Sequence, residues 1–180
     1  MALLNNYKNT ASYLRLFIEH GIVLLVGLLV FWIDDREFLH YFYPKVFVVL
    51  WATLKTCFFL WDTLRRIANF LREGNNYLRF IEFVGVSVML IVLSFALDYW
   101  CLFLVEPSSF NGVPDQQWSG GSFFNYLYFS VCTFVTVGYG DITPITLAAK
   151  YLTMLEMGLS FISIILVISN FSNFKEAMKK

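Results

Sequence analysis

Apolar residues along this 180-residue chain gather in four long runs, parted by short polar connections. The runs cover about 13–33, 42–64, 78–105 and 146–171. Each holds the roughly 20 residues that a helix needs to cross a bilayer. The first is too long and too aromatic for a signal sequence, and Asp34-Asp35-Arg36 follows it in place of a small-residue cleavage site. Pro44 falls in the first turn of the second run, where a missing N–H is tolerated. A fifth apolar stretch, 123–135, is too short to span and is expected to be a re-entrant helix. The pattern predicts an all-α membrane protein with four transmembrane helices, one re-entrant helix and a loop behind it.

Between the second and third runs, Leu64, Ile67, Ala68 and Leu71 recur at helical spacing, with Arg65, Arg66 and Arg72 on the polar side. Two readings fit: a short amphipathic helix on the inner membrane surface, ended by Gly74-Asn75-Asn76, or a plain turn. The helix is favoured, and its arginines suit anionic lipid headgroups.

The basic residues set the topology. Arg65, Arg66, Arg72 and Arg79 cluster in one connection, Lys8 and Arg15 lie near the N-terminus, and Lys175, Lys179 and Lys180 near the C-terminus. No Lys or Arg occurs between Arg79 and Lys150. The connection 106–121 is therefore expected outside and both termini inside. The expected organisation is an N-terminal two-helix hairpin (1–64), an interfacial linker (65–77) and a second module (78–180).

Composition narrows the function classes. Hydrophobic residues make up 58% and charged residues 14%, against about 25% charged in soluble domains. Thirteen basic and thirteen acidic residues balance, so no basic field points to nucleic acid. Cys57, Cys101 and Cys132 are far apart, as are His20 and His40, which disfavours a disulfide framework or a zinc site. No nucleophile–base pair appears, and an enzyme is not expected.

Directly after the short apolar stretch stands Thr136-Val137-Gly138-Tyr139-Gly140-Asp141. With a re-entrant helix before it and a spanning helix after it, the hexapeptide resembles the selectivity filter of the potassium-channel superfamily, the prokaryotic-type pore-loop tetramers. Two further N-terminal spans are added here. The resemblance is specific over about 123–144 and looser over 78–171. It implies an outer helix (78–105), a pore helix (123–135), a filter (136–141) and an inner helix (146–171).

In such a filter, carbonyl oxygens replace the water that a potassium ion sheds. The resemblance assigns K+ coordination to Thr136, Val137, Gly138 and Tyr139, with Gly140 completing the loop and the Thr136 hydroxyl as innermost ligand. Gly138 and Gly140 lack the Cβ that disfavours positive φ. One chain offers one filter strand, so a homotetramer is implied. Asp141, Tyr128 and Phe129 would support the filter. Val135 and Cys132 stand where the family often carries threonine and an acidic residue or valine. Aligning from Lys150 puts Ser160 at the position of a common hinge glycine, with Gly158 two residues earlier. Ser160, Ile164, Ile168 and Phe171 are expected on the pore lining or at an inner gate.

Charges at membrane depth need partners. Lys55 lies near the middle of the second run and Glu19 in the inner half of the first. Their depths differ by about 5 Å at 1.5 Å per residue, and they are expected to pair. Asp98, near the outer end of the third run, is expected to reach the interface. Glu156 either packs behind the filter or faces the upper cavity. Neither of the first two runs carries the arginine series of a voltage sensor. Nine residues follow Phe171, and no C-terminal ligand-binding domain is expected. The expected function is passive, potassium-selective conduction with K+ as permeant ligand and no cofactor, across a plasma membrane and most simply a bacterial inner membrane. The alternatives are a weakly selective cation channel and a non-conducting regulatory subunit.

Overall fold

A computed structural model describes residues 21, 44–73, 77–113 and 121–177. The chain divides into two units, Met1–Phe42 and Tyr43–Lys180, and every element below belongs to the second. The first apolar run and Glu19 lie outside the described residues.

The described residues of the second unit form four α-helices: α1 (Pro44–Glu73), α2 (Tyr77–Val105), α3 (Gly121–Phe134) and α4 (Leu147–Ala177). Segments of α1, α2 and α4, namely Pro44–Arg65, Ile81–Val105 and Leu147–Ile168, are long and apolar enough to cross a membrane. At 14 residues α3 is about 21 Å long, short of a bilayer core. α1 continues without a break through the arginine-rich segment to Glu73. No glycine or proline interrupts it before Gly74, and polar residues alone do not stop a helix.

The core lies where α2, α3 and the first half of α4 meet. Phe95, Ala96, Tyr99, Leu102, Tyr126, Ala149 and Leu152 are fully buried there. Phe110 plugs one end of it, with ring centroids 5.6 Å from Tyr99, 5.3 Å from Tyr126 and 5.6 Å from Phe129. These edge-on rings hold the base of α3 against α2.

α1 is fastened to this core by polar contacts. Lys45 bonds Glu106 at 2.8 Å, and Thr53 Oγ1 lies 3.2 Å from the Tyr151 hydroxyl. The Lys45 ammonium holds the Glu106 carboxyl below the usual carboxylate range. Deeper, Lys55 Nζ meets Asp98 Oδ2 at 2.5 Å and donates to the Ser94 carbonyl at 3.1 Å. Asp98 is thus buried inside the helix packing rather than placed at the membrane interface. A lysine facing it from α1 offers a better partner than distant water.

The connection from α2 to α3 begins with a single 3-10 turn, Pro107–Ser109. Strand β1 (Phe110–Asn111) then pairs antiparallel with β2 (Thr143–Pro144), Phe110 opposite Pro144. Ile145 N–H donates to the Ser109 carbonyl at 2.8 Å. Thr146 caps α4 by accepting from Ala149 N–H at 3.4 Å. Gly112 sits at φ +83°, where a Cβ would come within 1.7 Å of the Asp141 carbonyl oxygen. Gly112→Ala adds left-handed strain to that clash and is expected to cost about 2 kcal/mol or more. Thermal unfolding of the detergent-purified protein should show it as a fall of about 4–8 °C in Tm. An unchanged Tm would refute the close approach.

Candidate functional site

The hexapeptide begins where α3 ends, and the helix stop is built from three backbone bonds. Val135 N–H donates to Val131, Thr136 N–H to Thr133 and Val137 N–H to Cys132, at 3.0, 3.0 and 2.9 Å. The last two are the paired bonds of a Schellman cap, with Thr136 at the position that requires a left-handed residue. Thr136 takes that conformation, at φ +57°, without being glycine. This is a conformation that a residue with a Cβ adopts at a cost and that surrounding structure must hold.

From there the backbone alternates. Positive φ occurs at Thr136, Gly138 (+56°) and Gly140 (+80°), and at neither Val137 nor Tyr139. Alternating handedness is the pattern that lets successive carbonyls of a strand share one side. It was legible in sequence at the two glycines, whereas the turn at Thr136 was not. The signal for Thr136 is its place just past the end of an apolar helix, two residues before the first glycine.

Of the expected supports, Tyr128 and Asp141 meet at this segment. The Tyr128 ring stacks parallel to Tyr139 at 6.4 Å. A hydrogen bond from Tyr128 keeps the Asp141 carboxyl below the usual carboxylate range, and Ile142 N–H donates to Asp141 Oδ1 at 3.0 Å. Phe129 is buried against Tyr99 at 5.0 Å, and Cys132 is buried on α3. Val135, Val137 and Tyr139 remain exposed on the isolated chain, an apolar surface beside the loop that the Tyr128 ring covers only in part.

On α4, the expected lining residues separate. Ile164 and Ile168 are exposed, and Phe161 and Met157 continue the same stripe one and two turns earlier. The alignment overlooked Met157 and Phe161, although both lie at the same helical spacing. The Phe171 side chain lies outside the described residues. Ser160 does not join the stripe: it is fully buried, and its hydroxyl donates to the Phe134 carbonyl at the end of α3. Its position along α4 suited the lining; its rotation about the helix axis turns it to α3 instead.

Glu156 packs behind the loop. Its carboxyl accepts from Tyr99 Oη at 2.5 Å through Oε2, and Oε1 lies 2.5 Å from Ser130 Oγ. Lys55, expected to meet Glu19, has Asp98 as its partner among the described residues. Arg65 is exposed, while the side chains of Arg66 and Arg72 lie outside the described residues. Among the described residues no cluster of His, Cys, Asp and Glu is arranged to hold a metal ion.

Three comparisons bear on this arrangement. A family model described as "Ion channel" matches residues 85–176, from α2 through the loop to the end of α4. A protein described as "Potassium channel K1" from Plasmodium berghei (strain Anka) is 28% identical over 103 residues, which cover 57% of this chain. The chain spans only 4% of that relative's length. No solved structure matches.

Proposed function

The chain belongs to the ion-channel family matched over residues 85–176, and on that footing we propose that it forms a potassium-selective channel from four identical subunits. Membership places it in the membrane as a multi-pass protein, in a family that is not a class of enzymes. The observation that carries the finer reading is the alternating backbone at 136–140, on the sequence Thr-Val-Gly-Tyr-Gly. Four such strands around an axis would surround a dehydrated ion with carbonyl oxygens from Thr136, Val137, Gly138 and Tyr139. The exposed Val135, Val137 and Tyr139 side chains would then be covered by neighbouring subunits. Cyclic closure is what a single loop per chain requires.

The rest of the α4 stripe follows from the same assembly. Met157, Phe161, Ile164 and Ile168 would face the cavity below the loop, and a ring of four apolar side chains can close a pore by dewetting. The C-terminal end of α3 carries partial negative charge that favours a cation in that cavity. The arginines at 65, 66 and 72 would lie at the inner surface against anionic lipid, with both termini inside and the plasma membrane as site of action.

The test is the reversal potential of purified protein in a planar bilayer, with a potassium gradient opposed by an equal sodium gradient. Reversal at the potassium equilibrium potential is expected. Reversal at zero with clear current would establish a weakly selective cation channel instead. Tetramers without current, with and without membrane tension, would establish a non-conducting subunit.

A further inference from the structure

α3 and α4 are joined at two points of equal spacing. On α4, Glu156 and Ser160 are four residues apart and share a face. On α3, Ser130 and Phe134 are also four apart. Glu156 Oε1 meets Ser130 Oγ at 2.5 Å, and Ser160 Oγ donates to the Phe134 carbonyl. α2 completes the contact: Tyr99 donates to Glu156 Oε2, and Ser130 Oγ lies 2.9 Å from the Val92 carbonyl. Tyr99, Ser130, Glu156 and Ser160 are all fully buried.

Each contact answers a need of α3. The backbone bonds that close the helix end go to Val131, Cys132 and Thr133, one residue short of Phe134. The Phe134 carbonyl is one of the groups that a helix C-terminus leaves without an intrahelical partner. Buried in the membrane, it would be costly if unmet, and Ser160 meets it. At the other point, Ser130 has one hydroxyl proton and two acceptors within reach. The hydrogen bonds close when residue 156 brings a proton of its own, and a glutamine amide brings one permanently.

We infer that Glu156 and Ser160 are positioning residues for conduction: together they hold α3, and with it the Thr136 turn two residues beyond Phe134, against the inner helix. A shift of α4 at Ser160 therefore moves the start of the conducting segment directly. This rests on the reading of 136–140 as that segment.

Single-channel recording of reconstituted protein tests it, with tetramer content and reversal potential measured on the same samples. Glu156→Ala and Ser160→Ala are each expected to lower open probability at least fivefold without moving the reversal potential. Glu156→Gln should stay within twofold of the unsubstituted protein. The double substitution should lose less than the product of the single losses, because both act on one helix. Unaltered open probability in both alanine variants would overturn the inference, as would Gln as damaging as Ala. If either alanine variant fails to assemble, Ser130→Ala and Tyr99→Phe remove one hydroxyl each. A loss of open probability in them supports the inference, and unaltered gating overturns it. Absence of potassium current from the unsubstituted protein would overturn the conduction reading itself, before any variant is compared.

Discussion

Gly138→Ala is expected to abolish potassium-selective flux, the largest effect of any single substitution in the chain. Gly138 lies at φ +56°, and among the described residues beyond its own chain neighbours no atom lies within 4 Å of where its Cβ would stand. The penalty within one chain is therefore conformational rather than a clash. A left-handed L-residue costs about 1–2 kcal/mol, and in the proposed tetramer four subunits would carry the change together, so the conducting arrangement would lose about 4–8 kcal/mol. At 1.4 kcal/mol per factor of ten, that is roughly three to six orders of magnitude in its population. Thr136 already holds a left-handed conformation next door, which leaves little tolerance for a second strained residue. Gly85→Ala is the control: this glycine lies in α2 with open space around its Cβ, and alanine favours a helix. Potassium uptake into liposomes separates the two. Unimpaired selective uptake by Gly138→Ala would refute the role given to the alternating backbone.

The three described spans and the loop were legible in sequence for different reasons. A spanning helix announces itself by the length of its apolar run, because lipid imposes that length on every such segment. The loop announced itself because backbone geometry restricted its residue types, and Gly138 and Gly140 carry the restriction openly. What stayed hidden depends on rotation and on tertiary partners. Ser160 was read onto the lining from its position along α4, yet its rotation about the helix axis decides between a cavity and the end of α3, where its hydroxyl goes. Glu156 had two readings, and only the packing of α2 and α3 against α4 separates them. The left-handed turn that closes α3 fell on a threonine, two residues beyond the last helical residue Phe134, where no punctuating residue marks it. The arginines after Leu64 suggested a separate element, but the helix carries through them to Glu73.

Lys55 shows how far the principle of paired membrane charges reaches, and it supports the second large prediction. Depth alone allowed Glu19 as partner, whereas the described packing brings Asp98 to 2.5 Å, with Lys55 3% and Asp98 7% exposed. Removing one member leaves the other charged and unmet in a low dielectric, at about 3–5 kcal/mol; removing both into apolar residues of similar volume is often neutral. Lys55→Met should therefore lower the yield and Tm of folded tetramer sharply, and Asp98→Leu should do the same. The double variant Lys55→Met/Asp98→Leu should recover both quantities to near the unsubstituted values. Such a recovery would mean that the pair fixes α1 on α2 through mutual need rather than through net stabilisation. A double variant as unstable as Lys55→Met would show that Lys55 serves another partner. Glu19→Gln would identify it, since loss of that carboxylate would then reproduce the Lys55→Met defect. With Asp98 as the partner, Glu19→Gln leaves tetramer yield and Tm where they were.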